Sequence, residues 1–396
     1  MLGGTTEGRR GQSPHAQRAH QRQGHIMTES LPKWADILLI PLVNLVLALI
    51  VSGIVVALIG KDPFEALYIL VNGSVGSAYG WGYTLFYTTN FIFTGLGVAV
   101  AFHARLFNIG GEGQAALGGL GVALVLLYLP LPHWSLAIIA ASLGAALFGA
   151  AWAAIPAYLQ AQRGSHIVIT TIMFNFIASA LMVYLLSRVL LVPGAGGSPE
   201  TARFVEAVRL PNAYDIAPWL GFSRSTPLNV SFFLALAACV FVWALIWRTR
   251  LGYEIRSFGK SEPAGLYGGI SSTRITMVAM LISGGLIGLM AINSVMGEAE
   301  RLVIDPVQGA GFVGIAVALM GRSHPLGVFL AALLFGALYQ GGGELTFEMN
   351  GMTREIILVI QALVILFTGA LDNMVRAPIA RVFLTLRRKP AQKAGS

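Results

Sequence analysis

The sequence predicts an all-α polytopic membrane protein with about ten transmembrane helices, some of them broken, and three observations carry that prediction. Of its 396 residues, 56% are hydrophobic and 11% charged, against about 25% charged in an ordinary soluble domain, and mean hydropathy is +0.72. Apolar runs close to the roughly 20 residues that a bilayer core requires recur along the chain. Most of the 26 Lys and Arg residues fall in alternate loops, the asymmetry expected of cytoplasmic segments.

Residues 1–36 carry Arg, Gln, Gly and His with little apolar content, and are expected to form a disordered cytoplasmic tail without a signal-peptide core. His15, His20 and His25 lack a fold to converge them on a metal. Met27 opens "MTESLPKW", an ordinary start for such a chain. Residues 37–376 form the predicted transmembrane domain. Its spans are read at Ile37–Ile59, Thr84–Ala104, Gly113–Leu129, Trp134–Leu159, Ile167–Leu191, Asn229–Trp247 and Ile275–Gly297. The apolar stretch that follows is divided at Gly321–Pro325 into two pieces, and Glu355–Leu371 is the last span. An even number of crossings keeps the basic tail 377–396 on the same side as the amino tail, so both termini are expected in the cytoplasm. The loop 193–228, where Arg203, Arg209 and Arg224 are balanced by Glu200, Glu206 and Asp215, is expected outside. The basic loop 248–274 is expected inside. In a membrane chain the formal charge of +8 records topology, and no nucleic-acid partner is inferred.

Several chemistries are excluded. Cys239 is the single cysteine and lies in an apolar run, so neither a disulfide nor a Cys-based metal site is available. The pattern G-x-G-x-x-G at Gly309–Gly314 has no preceding strand, and "GKS" at Gly259–Ser261 has Glu254 where a phosphate-binding loop needs glycine. No hydrolase motif occurs. The polar residues within the spans are mostly uncharged: Asn90, Thr170, Thr171, Asn175, Asn293 and Ser294. Ion-coupled carriers hold ionisable groups at membrane depth, and apart from Glu112 and helix-end residues this chain has none, so its driving energy is expected from a partner. The amides and hydroxyls either bond a neutral, hydroxyl-rich solute or join helices.

Two stretches interrupt the apolar pattern. "FNIGGEGQ", Phe107–Gln114, sets a carboxylate, two amides and three glycines between two spans. In "SEPAGLYGG", Ser261 is a good N-cap, Glu262 and Pro263 suit a first turn, and Gly268 and Gly269 a helix end, so Ser261–Tyr267 is expected to be a short helix. It is either a docking element or a surface loop held near anionic lipid by its basic residues.

With "IRSFGKSEPAGLYGGIS" at Ile255–Ser271 and "GAGFVGIAVALMGRSHPLGVFLAALLFGAL" at Gly309–Leu338, "FNIGGEGQ" makes the chain resemble permease subunits of bacterial ABC importers for simple sugars, nucleosides and branched-chain amino acids. The resemblance is closest to the nucleoside branch that depends on basic membrane lipoproteins, and covers about Ile37 to Arg376. Here Gly265 replaces the second of two adjacent alanines in the loop pattern. The resemblance implies a non-enzymatic permease in the cytoplasmic membrane, importing a nucleoside, a simple sugar or another polar metabolite by alternating access. It also implies a separate ATPase subunit that holds ATP and Mg, a second related permease and an extracytoplasmic solute-binding protein; no cofactor is expected in this chain. The ATPase would press on Ser261, Glu262, Ala264, Gly265, Tyr267 and Gly269. Asn90, Asn108, Gly110, Gly111, Glu112, Gln114, Asn175 and Asn293 are expected at a hinge or along the solute path, with Glu112 either structural or in direct solute contact. A secondary transporter and an intramembrane enzyme remain the readings of another class.

Overall fold

The computed structural model describes residues 39–191 and 199–367. Both terminal tails, residues 193–198 of the long loop and the end of the Glu355–Leu371 span lie outside the described residues. The chain divides into two units, Ser52–Ala362 and Met1–Val51 with Leu363–Ser396. In the second unit, the described residues 39–51 and 363–367 are helical and apolar.

In chain order the helices are α1 Ile40–Leu58, α2 Pro63–Val75, α3 Ala78–His103, α4 Gly111–Tyr128, α5 Trp134–Arg163 and α6 Ile167–Tyr184, which runs on as a π-helix over Leu185–Val189. After the long loop come α7 Ala213–Ile216, α8 Ser231–Arg248, α9 Arg250–Lys260, α10 Glu262–Tyr267 and α11 Ser272–Gly288, the last followed by a π-helix over Ile292–Ala299. α12 Ala310–Met320, α13 Pro325–Glu348 and α14 Arg354–Ile365 complete the described helices. Among the described residues, seven helices are long and apolar enough to span a membrane, and α1 and α12 are shorter apolar helices. The fold is all-α. Its only extended pairings among those residues are two isolated bridges.

Local chemistry sets the helix ends. Ser77, Thr249 and Ser271 turn side-chain oxygens back to backbone N–H groups two or three residues inside α3, α9 and α11, which satisfies donors that helix starts leave orphaned. Gly164 ends α5 at φ 68°. Gly321 closes α12, Arg322 and Ser323 take φ near 50°, and His324 with Pro325 starts α13. This is the interruption expected at Gly321–Pro325.

α2 is an addition to the predicted spans. Its 13 residues are too short to cross, but Asp62 caps Phe64 N at 2.8 Å, and α2 packs along α13. With Val56, its Ala66 and Ile69 share a buried apolar cluster with Leu345, Met349, Met352, Ile357 and Ile360.

α3 is the central helix, buried along almost its whole length and packed on α8, α11, α12 and α13. On the other flank, α4, α5 and α11 meet through glycines. A Cβ on Gly118 would stand 2.6 Å from Gly288 Cα. One on Gly144 would lie 2.9 Å from Gly121 O, and one on Gly284 would meet Gly149 O at 2.6 Å. Lipid offers no hydrophobic drive between helices, so close backbone approach supplies the packing. α5 turns its small residues Ala137, Ala141, Ala145 and Ala153 inward and exposes Leu136, Ile139, Leu143 and Leu147, as a lipid-facing helix should.

The described part of the long loop is fixed to the turn before α12. Arg301 NH1 reaches Glu200 Oε1 at 2.7 Å and Arg209 Nε reaches Glu300 Oε2 at 3.2 Å. The Thr201 and Phe204 N–H groups donate to the Leu302 and Glu300 carbonyls. Glu200 and Arg209 of the loop thus each pair with an opposite charge on that turn rather than with charges of the loop itself, while Arg224 lies over the Tyr214 ring.

Candidate functional site

The break at "FNIGGEGQ" is a junction where buried amides replace the missing helix ladder. Asn108 Nδ2 donates to Gln114 Oε1 and to Ser283 Oγ, both at 2.9 Å. Its Oδ1 accepts from Gly110 N and from Gln114 Nε2, both at 3.0 Å. Asn175 on α6 holds the same turn from outside, accepting from Gly113 N at 2.9 Å and donating to Ile109 O at 2.8 Å. Irregular backbone at membrane depth needs such partners, because an unsatisfied group there costs several kcal/mol.

Two helix N-termini meet at this junction. A Cβ on Gly111 would lie 3.0 Å from Gly311 Cα, and one on Gly311 would collide with the Glu112 backbone. Glu112 Oε1 accepts from Gly311 N at 2.9 Å and Phe312 N at 3.3 Å. A carboxylate that begins α4 thus caps α12, where the helix dipole favours negative charge. Gly110 sits at φ −77° and Gly111 is not among the glycines with positive φ, so close approach, not left-handed backbone, is what requires glycine here.

A second feature is a cavity of about 330 Å³ between α3, the π-helix after α11, the turn before α12, and α13 with α14. Phe86, Tyr87, Phe91 and Tyr339 supply an aromatic wall, with ring centroids of successive contacts 4.9–5.7 Å apart. Asn90, Ser294 and Gln361 add uncharged polar groups, each no more than 7% exposed. Glu298, Gln308 and Arg354 are exposed and stand at its rim. The bordering turn is conformationally special: Glu300, Asp305 and Gln308 all take φ near 50° and Gly309 takes 85°; ion pairs to the long loop pin it at Glu300 and Arg301, and Gln308 N donates to Asp305 Oδ1.

Of the eight residues expected at the hinge or solute path, Asn90 alone lines this cavity. Asn108, Gly110, Gly111, Gln114 and Asn175 form the junction, and Glu112 bonds α12 backbone rather than facing the cavity. Asn293 lies just behind the wall, donating to Asn90 Oδ1 at 2.8 Å and Phe86 O at 2.9 Å. Sequence reasoning missed Tyr87, Tyr339 and Gln361, whose only signal was a polar atom inside an apolar run.

The 248–274 loop folds as α9 and α10. Ser261 Oγ accepts from Ala264 N at 3.4 Å and Gly269 follows at φ 81°. Ala264 and Glu262 are exposed and Tyr267 is 98% exposed. Gly265 points the other way: it is buried, with a Cβ there 3.4 Å from Phe258 Cα on α9. This face of α10 therefore packs within the chain, and a methyl at Gly265 would meet Phe258 at ordinary contact distance. Glu254 pairs with Arg250 one turn earlier on α9 at 3.1 Å and reaches Arg274 on α11 at 3.7 Å.

A membrane bundle of this kind, with a small polar cavity beside a glycine-lined junction of broken helices, is that of a transport permease. The chain belongs to the family of permease components of the branched-chain amino acid transport system, which it matches over residues 81–369. It is 34% identical to the guanosine ABC transporter permease protein NupP of Bacillus subtilis, over 84% of this chain and 93% of that one. It is 31% identical to the nucleoside ABC transporter permease protein NupB of Lactococcus lactis, over 83% and 90% of the two chains. To the glucose ABC transporter permease protein TsgB13 of Haloferax volcanii it is 33% identical, over 83% and 86%. No solved structure matches the chain.

Proposed function

We propose that this permease passes nucleosides through the cytoplasmic membrane as part of an ATP-driven importer. The observation that supports this most is the cavity's chemistry: four aromatic rings beside three nearly buried uncharged polar side chains. Its volume lies near the low end of the about 300–1,000 Å³ of small-molecule sites. Aromatic faces suit a planar heterocycle, whose stacking is worth about 1–3 kcal/mol per base, and amides suit ribose hydroxyls and base edges. The similarity to guanosine and nucleoside permeases points the same way. A sugar is the second reading, favoured by the likeness to the glucose permease.

In this proposal a separate ATPase, carrying ATP and Mg, docks on the exposed face of α10, where Leu266 and Tyr267 stand in solvent. A related permease completes the path, and an extracytoplasmic binding protein delivers solute to the 193–228 side. Both termini lie in the cytoplasm. The test is uptake of labelled guanosine and glucose by cells carrying the full set of subunits. Nucleoside uptake that stops on ATP depletion and survives an uncoupler supports the proposal. Uptake that collapses with the uncoupler and persists without the ATPase would make the protein a secondary transporter.

A further inference from the structure

The cavity's polar wall has a defined polarity, which follows from a relay of amides fixed by backbone at both ends. Ser231 N is a donor, so the Asn229 atom it meets at 3.0 Å is Oδ1, and the Asn229 Nδ2 that meets Pro227 O at 2.9 Å agrees. That Nδ2 also donates, at 2.9 Å, to Asn293 Oδ1, which takes a second bond from Ser231 Oγ. Asn293 must then turn its Nδ2 toward Phe86 O and Asn90, at 2.9 and 2.8 Å, so the Asn90 atom on that side is its oxygen. Flipping Asn229 or Asn293 would set like against like at a main-chain group, and flipping Asn90 would set donor against donor at Asn293 Nδ2. What Asn90 has left for the cavity is its Nδ2, a pure donor on a side chain 6% exposed.

We propose that Asn90 is a specificity-determining donor within the permease itself. It selects, among neutral ring-bearing solutes, those that place a hydrogen-bond acceptor against the Phe86–Tyr87–Phe91–Tyr339 wall, and Asn293 and Asn229 are positioning residues that keep it a donor. This rests on the cavity being the solute path, as proposed above, and adds a selection step beyond that of a binding protein. A buried donor left unpaired is unfavourable, whereas the same group bonded to solute is not, so a solute without the acceptor is rejected as it enters.

The test is import by the complete transporter in proteoliposomes with the binding protein saturated, which holds upstream recognition constant. Guanosine is compared with 7-deazaguanosine, 3-deazaguanosine and 2′-deoxyguanosine, which lack the acceptors at N7, N3 and the 2′-hydroxyl, and with 2-aminopurine riboside, which lacks O6 and turns N1 from donor to acceptor. The wild type is expected to import one of these about three- to tenfold more slowly than guanosine, the effect of one neutral hydrogen bond. Asn90→Leu should slow guanosine by a similar factor and leave that analogue unchanged, erasing the difference. Asn90→Asp keeps the shape and the oxygen facing Asn293 and, ionised, sets a second oxygen against the solute's acceptor, so the guanosine-to-analogue ratio should fall to one or below, which guards against a leucine that merely fails to pack. Asn293→Ala, outside the cavity, should shrink the guanosine-to-analogue ratio without removing a solute contact. If the Asn90 variants slow all solutes by one factor, or leave all ratios as in the wild type, Asn90 does not select. If the wild type imports glucose and no nucleoside, the nucleoside reading fails separately, and the same ratios taken with monodeoxyglucoses decide the role of Asn90. Import of neither solute overturns both.

Discussion

Glu112 shows how one side chain serves two elements. It opens α4, yet its carboxylate binds the first N–H groups of α12, and Gly111 and Gly311 bring the two backbones into contact. Glu112→Gln keeps an acceptor for Gly311 N and loses only the charge, worth about 0.3–1 kcal/mol at a helix start. Glu112→Ala leaves two donors without that partner, at about 1–3 kcal/mol. The alanine variant should therefore melt in detergent at a clearly lower temperature than the glutamine variant, and equal losses would remove the capping role. Gly311→Ala should be at least as damaging, since its methyl meets main chain that cannot rotate aside. The pattern of glycines and amides in "FNIGGEGQ" made the junction legible. That its partner would be Gly311, two hundred residues away, was not, because nothing local encodes which helix start another carboxylate caps.

At the scale of elements, periodicity and punctuation were readable where a segment is long and closed by glycine or proline. The divided segment at Gly321–Pro325 and the Ser261-capped helix are cases. α2 was hidden because its 13 residues, with Glu65, Asn72 and Ser74 among them, fall short of a span, and its role is to fill the flank of α13. The π-helix after α11 carries no sequence mark, yet it places Asn293 behind the cavity wall and Ser294 and Glu298 along it. For α10, burial of Gly265 against Phe258 and exposure of Tyr267 separate two effects. Gly265→Ala should be neutral or stabilise by up to about 1 kcal/mol, since its φ is not left-handed and the new methyl meets Phe258 at ordinary distance. Tyr267→Asp should leave the melting temperature unchanged and lower co-purification of the ATPase. If it leaves co-purification and transport intact, α10 does not dock the ATPase.

The cavity belongs to the whole molecule. Asn90 was visible as a polar residue in an apolar run, whereas Tyr87 on α3, Tyr339 on α13 and Gln361 on α14 converge only when the bundle closes. The bundle in turn depends on the glycine contacts among α4, α5 and α11. Gly288→Leu should prevent folded protein from accumulating in the membrane, because a side chain there meets the α5 backbone at Ala145 and Gly149. Full wild-type abundance of that variant would show that the three helices do not pack as described.

Topology gives the remaining test at this scale. α8 has 18 residues, about 27 Å at 1.5 Å per residue, close to the roughly 30 Å of a bilayer's hydrocarbon, and it ends in Arg248, with Arg250 opening α9. It connects the loop that holds Trp219 and Arg224 to the loop that holds α9 and α10. A single crossing must put those loops on opposite faces whatever the rest of the chain does. On the proposed topology the basic residues of 248–274 put that loop in the cytoplasm. A fluorescent reporter fused after Lys260 should be active, and alkaline phosphatase fused after Ser223 should be active, with each silent at the other's site. Activity of one reporter at both positions would mean that α8 does not cross. The long loop and α10 would then share a face, and one of the two docking surfaces proposed for the binding protein and the ATPase would have to be abandoned.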